Sequence, residues 1–258
     1  MKIEMHQLTE LVKEVTPLFR DKERAAMVQT KGVADFVTQV DFQVQEYMKN
    51  RLAALYPEIQ FMGEEKNNEE IDFSRPVWIL DPVDGTTNLI HDFRASALSL
   101  ALWQDGQICK GIVYQPYTGE MFTAERGGGA FLNGATIHAS SAKTLTESLI
   151  SIGTSPYRKE LADQNFRNFK EIFLQCADIR RLGSAAMELA YVACGRIDAF
   201  FERNLKPWDF AAGLLLVEEA GGAVTDFSGA PVDARHPSDI LAGNGTIGGL
   251  LLPYCKET

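Results

Sequence analysis

Cysteine is scarce in this chain: four in 258 residues, at Cys109, Cys176, Cys194 and Cys255, with no C-x-x-C pair. That excludes a disulfide framework and the thiolate zinc sites built on such pairs; the reading is reduced thiols in a cytoplasmic protein. Long apolar runs are also missing. The longest, Ala95 to Trp103, is interrupted by serines and falls well short of the roughly 18–20 residues of a membrane span, so no membrane association is expected. The opening Met1-Lys2-Ile3-Glu4-Met5-His6 has no apolar stretch, which speaks against a secretory signal. Positive charge is in deficit, with 25 Lys and Arg against 35 Asp and Glu, a net charge of −10. Direct nucleic-acid binding is therefore not expected. Repeats, low-complexity tracts and Pro/Ser-rich linkers are absent too, which excludes solenoids and disordered tethers.

What is there is globular. Hydrophobic residues make up 45% and charged residues 23%, enough for a full core without staples. At roughly 150 residues per domain, the length suits one large domain or two fused lobes. Residues 5–25 read as a helix. A second covers about 38–55, where Val40, Val44, Met48, Leu52 and Leu55 recur at helical spacing before Tyr56-Pro57 ends it. Val77-Trp78-Ile79-Leu80 reads as a buried strand that stops at Asp81-Pro82. Asp105-Gly106 joins strands at 97–103 and 107–114 in a hairpin, and 120–124 adds another strand before the Gly127-Gly128-Gly129 turn. The first half is thus two helices and a meandering sheet.

The second half alternates. Strands are expected at 149–152, 179–182, 197–201, 223–226 and 240–242. Helices are expected at 164–175, at 184–193 with Ser184 as N-cap and Gly195 past its end, at 209–220, and after Asn244. That rhythm implies an α/β layer. A boundary near residue 145 divides an N-terminal α+β lobe, 1–145, from a C-terminal α/β lobe, 146–258, which completes the site, the two packed as one unit.

The segment Trp78-Ile79-Leu80-Asp81-Pro82-Val83-Asp84-Gly85-Thr86-Thr87-Asn88 carries the chemistry. An apolar strand delivers Asp81, Pro82 removes a ladder donor, and Asp84-Gly85 turns into a short helix starting near Thr86. Free N–H groups at such a helix start suit an anion. Two carboxylates beside them would repel a phosphate unless divalent cations lay between. The same residues also suit a plain capped turn. Other acids bear on that choice. Gly63-Glu64-Glu65 follows the apolar Ile59 to Met62, so a strand ending there sets Glu64 beside Asp81. Trp208-Asp209 opens a helix, where Asp209 serves equally as a first-turn acid. Asp41 lies on a largely apolar helix face.

Taken in order, Gly63-Glu64-Glu65, Asp81-Pro82-Val83-Asp84-Gly85-Thr86-Thr87-Asn88 and Trp208-Asp209-Phe210-Ala211-Ala212-Gly213 resemble the signature of the inositol monophosphatase family. Phe36 to Asp41, Asn133-Gly134 and Gly183-Ser184-Ala185-Ala186 resemble its other motifs, so the likeness runs from about 30 to 245. It implies a layered α-β-α-β-α sandwich, related to fructose-1,6-bisphosphatase, and lithium-sensitive, Mg²⁺-dependent hydrolysis of a phosphate monoester with two or three ions per site. Glu64, Asp81 and the Val83 carbonyl match the ligands of one ion; Asp81, Asp84 and Asp209 match those of a second. Thr86 and Glu64 would orient or deprotonate the attacking water, with Asp41 poising Thr86. Asp84, Gly85, Thr86, Ser184, Ala185, Glu202 and Asp209 would meet substrate. Lys31 is near a lysine position of relatives. His91 is read as a capping residue, and Arg180-Arg181 as solvated or interfacial. Arg94 stands where many relatives have proline.

The resemblance implies a homodimer and a small phosphorylated substrate. Inositol 1-phosphate is favoured by the compact length; fructose 1,6-bisphosphate, NADP, 3′-phosphoadenosine phosphate and histidinol phosphate are alternatives. Some bacterial members also bind partners in transcription and RNA processing. Two other classes fit less well. A haloacid-dehalogenase phosphatase separates its two aspartates by one residue, whereas Asp81 and Asp84 are separated by two. An EF-hand would need alternating acids and a twelfth-position Glu.

Overall fold

The helix expected over 5–25 is broken into three. In the computed structural model, which describes residues 3–255, these are α1 (Met5–Lys13), α2 (Thr16–Phe19) and α3 (Lys22–Ala25). Pro17 sits in the first turn of α2, where its missing N–H is harmless, and the Asp21 carboxylate caps α3 by accepting from the Arg24 N–H at 3.0 Å. An unexpected hairpin follows, β1 (Val28–Gly32) with β2 (Asp35–Thr38), then α4 (Gln39–Leu55).

The first large sheet contains β3 (Gln60–Gly63), β4 (Val77–Asp84), β5 (Ala97–Gln104), β6 (Gln107–Gln115), β7 (Glu120–Glu125), β8 (Gly129–Leu132) and β9 (Ala135–Thr136) in chain order, with the short helix α5 (Thr86–Ile90) between β4 and β5. Only β3 and β4 are parallel; the remaining pairs form the antiparallel meander. The second half adds β10 (Leu149–Ile152), α6 (Ala162–Phe173), β11 (Asp178–Arg180), α7 (Ala185–Ala193), β12 (Ala199–Leu205), α8 (Pro207–Glu219), β13 (Gly222–Thr225), β14 (Ser238–Asn244) and α9 (Gly245–Cys255). Its five strands are ordered β11-β10-β12-β14-β13, the first three parallel.

Strand alternation builds the layers. On β4, Trp78 and Leu80 pack with Val44, Met48 and Leu52 of α4 and with Leu8 and Leu11 of α1. Val77 and Ile79 face the other way, into a core shared with Leu189 of α7, Leu215 of α8 and, from the second sheet, Phe200 and Ala242. Beyond that sheet, Phe201 and Leu241 meet Phe169 and Ile172 of α6 and Leu251 of α9. The result is the expected α-β-α-β-α sandwich, with α7 and α8 apolar nearly all round because a sheet covers each side. The α8 backbone rides close on β6: a Cβ on Gly111 would lie 2.8 Å from the Ala212 carbonyl oxygen.

One local expectation fails. β4 does not end at Asp81-Pro82 but continues to Asp84. Its register against β5 shifts between Asp81↔Ser99 and Asp84↔Ala97, a bulge that contains Pro82 and Val83. Pairing with β3 has stopped at Gly63↔Leu80, so Pro82 has no neighbour on that side to leave unbonded. Similarly, the strand expected at 197–201 runs later, at Ala199–Leu205, and carries Glu202 in its middle.

Candidate active site

Parallel pairing brings β3 and β4 out at the same edge. Glu64 follows directly, its N–H bonding the Leu80 carbonyl at 3.3 Å, and so lies next to Asp81. The bulge then carries the chain to Asp84. Gly85 adopts φ +87°, a left-handed conformation that suits glycine, and α5 begins at Thr86 as expected. From the second half, Asp209 enters in the first turn of α8, and the start of that helix is tied to β5 by Ser99 Oγ donating to the Trp208 carbonyl at 3.1 Å. Glu64, Asp81, Asp84, Asp209 and Glu202 all line one cleft of about 120 Å³.

The three aspartates share a pattern. Each has one carboxylate oxygen anchored by a protein N–H. Asp81 Oδ1 accepts from Val83 N at 2.9 Å, Asp84 Oδ2 from Ala186 N at 2.7 Å and Ser184 Oγ at 2.6 Å, and Asp209 Oδ2 from Lys206 N at 2.7 Å. The opposite oxygens take no hydrogen bond from the described residues. Asp41 differs: Oδ2 accepts from Thr38 N and Oγ1, and Oδ1 accepts from Thr86 Oγ1 at 2.9 Å. It is fully buried, does not line the cleft, and reaches it only through Thr86, whose hydroxyl also lies 3.1 Å from the Val83 carbonyl.

Electrostatics follow from crowding. Burial raises the Asp81 and Asp209 carboxyls well above their usual range, and the neighbouring acids add to it. Burial pushes Asp84 up to about 6 against its hydrogen bonds from α7, and Glu64 up to about 7 against Lys31. All-oxygen donors in such a setting fit a hard divalent cation, which relieves both desolvation and repulsion. The acids form an open ring: among the described residues no three His, Cys, Asp or Glu side chains close to ligating distance.

Not every expected residue reaches the cleft. Gly85, Thr86, Val83, Ala185 and Glu202 line it. Ser184 does not; it is 1% exposed, and its hydroxyl is committed to Asp84 and to the Met187 N–H it caps. In this structure that hydroxyl anchors Asp84. Lys31 Nζ bridges Glu64 at 3.0 Å and Glu65 at 2.7 Å. His91 caps α5. Arg180 is exposed and paired with Asp178, whereas Arg181 turns into the cleft beside Glu202. Sequence reasoning missed Tyr157, which also lines the cleft. Its signal was the Gly153-Thr154-Ser155-Pro156 loop at the C-terminal end of a parallel strand, where sites in α/β layers form. A larger cavity of about 550 Å³, between α3 and α5, has Asp92 as its one lining acid, already paired with Lys22 and Arg94, and so offers no comparable donor set.

The sequence profile of the inositol monophosphatase family matches residues 2–257. The chain belongs to the inositol monophosphatase family. It is therefore a phosphoric monoester hydrolase. It is 38% identical over 251 residues to the inositol monophosphatase of Dictyostelium discoideum, covering 94% of this chain and 91% of that one. It is 41% identical over 227 residues to the Nus factor SuhB of Escherichia coli K12, covering 88% and 85%. Among solved structures, an IMPase/NADP phosphatase complexed with Mg²⁺ and phosphate superposes with a TM-score of 0.87 at 27% identity, covering 96% of this chain and 93% of that one.

Proposed function

We propose that this family member is a Mg²⁺-dependent phosphatase of small monoesters, with inositol 1-phosphate foremost, acting by direct attack of water on phosphorus. The observation that carries the reading is the ring of Glu64, Asp81, Asp84 and Asp209 around the Gly85-Thr86 turn. The uncommitted oxygens of the three aspartates, with Glu64 and the Val83 carbonyl, would hold the ions. When bound, Mg²⁺ supplies charge neutralisation at phosphorus and an acidified water.

The chain's own groups do the rest. Glu64, beside Asp81 in the cleft, would take the proton of the attacking water. Thr86 has one hydroxyl hydrogen, and Asp41 and Val83 both offer it an acceptor, so its lone pairs are left to orient water. The N–H groups of Gly85 and Thr86 at the start of α5 bind phosphoryl oxygens. Glu202, held by the Ser155 N–H at 2.8 Å, and Arg181 meet the alcohol being released. No covalent intermediate is needed.

The test is phosphate release from inositol 1-phosphate, fructose 1,6-bisphosphate, NADP, 3′-phosphoadenosine phosphate and histidinol phosphate, with Mg²⁺ and with excess EDTA. Release abolished by EDTA supports the reading and ranks the substrates; no release from any of them with Mg²⁺ overturns it. A cytoplasmic homodimer is part of the proposal, to be checked by sedimentation. A second reading, partner binding in transcription or RNA processing, is favoured by the identity to a Nus factor. Turnover that survives loss of a partner would separate the two roles.

A further inference from the structure

The Leu182–Gly183 peptide is gripped from two directions. Asn88, on α5, donates from Nδ2 to the carbonyls of Leu182 at 2.9 Å, Ala95 at 2.9 Å and Gly183 at 3.3 Å. Glu188, on α7, accepts through Oε1 from Leu182 N at 2.6 Å and Gly183 N at 3.3 Å. Both side chains are buried, 8% and 1% exposed, and neither lines the cleft. Two left-handed glycines meet at this point, Gly85 at φ +87° and Gly183 at φ +81°. A Cβ on Gly85 would stand 3.0 Å from the Gly183 carbonyl oxygen and 3.2 Å from Asn88 Nδ2.

The contact has a location that matters. In the proposed reading Gly85 and Thr86 form the phosphoryl half of the cleft. Arg181, Gly183 and Ala185 form part of the other half, next to Glu202. The gripped peptide joins them. We propose that Asn88 and Glu188 are a pair of positioning residues that fix this peptide and thereby set the width between the phosphoryl and leaving-group halves of the cleft. The proposal rests on the phosphatase reading above. Glu188 serves as an acceptor, which a neutral amide oxygen can replace. Asn88 serves as a donor, which a carboxylate cannot.

Three variants of the full chain separate these demands. Glu188→Gln keeps the acceptor. Glu188→Leu keeps most of the volume and leaves two N–H groups without it. Asn88→Asp turns an acceptor toward three carbonyl oxygens. The readouts are deuterium exchange at Leu182 and Gly183, KM and kcat on inositol 1-phosphate with Mg²⁺, and inhibition by inorganic phosphate, which probes the phosphoryl half only. Glu188→Leu and Asn88→Asp should speed exchange by ~10-fold or more and raise KM by ~10- to 100-fold, the range for residues that orient a site from behind. Their phosphate inhibition constant should stay within ~2-fold, and Glu188→Gln should stay within ~3-fold of wild type throughout. Wild-type exchange and KM in Glu188→Leu would overturn the proposal. So would equal losses in Glu188→Gln and Glu188→Leu, or a phosphate constant that rises in step with KM. If the wild type hydrolyses no substrate, the phosphatase reading fails, and exchange still decides whether the grip exists.

Discussion

Asp84 shows how much one carboxylate does. One oxygen fastens the start of α7, and in the proposed reading the other holds a cation. Asp84→Asn can keep the first function through its amide oxygen but would point an amide into the cleft. Activity should fall by more than ~100-fold while the melting temperature holds. An active variant would remove Asp84 from the ion site. Glu202 makes a different prediction. Burial, opposed by the Ser155 N–H and Arg181, pushes it up to about 7 from 4.5. The folded state thus keeps a proton that the unfolded chain gives up, and stability drains away as pH rises from 4.5 through 7. Urea unfolding in metal-free buffer should show Glu202→Gln gaining on wild type by up to ~3 kcal/mol between pH 4.5 and 8. A pH-independent difference would mean that Glu202 ionises normally. At this scale the acids were legible because they sit in tight motifs. The use of Ser184 was not, because its partner Asp84 lies 100 positions away.

Elements put these groups in place through close approaches. Gly153 extends β10 against Glu202, and a Cβ there would fall 2.1–2.3 Å from that side chain. Gly153→Ala must displace the carboxylate or the strand end, at about 1–3 kcal/mol of stability, with a raised KM, where an exposed glycine with open space and no left-handed φ, such as Gly249, would take alanine without one. Equal KM values for wild type and Gly153→Ala would show that Glu202 has room to move. The meander and the paired helices α7 and α8 were readable from alternation and capping. The β1–β2 hairpin was not: all five β1 residues are exposed, so no period of two marks them. Buried Val37 and Thr38 anchor its second strand, and at long range the Lys31 ammonium sits on Glu64 and Glu65. Burial of that ammonium opposes its charge, but the two carboxylates outweigh it and hold Lys31 above its ordinary range. The β4 bulge was hidden because proline ordinarily signals a strand's end; it became visible only once β3 was seen to stop first.

For the whole molecule, the cleft is a seam between two sheets, lined by acids from both halves of the chain. A ligand that bridges the seam stabilises the folded state over the unfolded one. Mg²⁺ should therefore raise the melting temperature, more at pH 8 than at pH 5, since carboxyls held protonated must ionise to bind it. Li⁺ should oppose Mg²⁺ in turnover; indifference at high millimolar Li⁺ would set this chain apart from the lithium-sensitive pattern. The layer order came from the family motifs, since periodicity told only that α/β layers exist. The grip of Asn88 and Glu188 on one peptide, and the wall formed by Tyr157, needed the fold to bring distant segments together. The close seat of α8 on β6 has a further consequence. Because Gly111 carries no side chain, the helix that presents Asp209 lies at a depth set by bare backbone. Any substituent there would act as a shim, lifting one acid away from the other three. The spacing of the acidic ring is thus governed from a buried strand packed against that helix, by an atom that is not there.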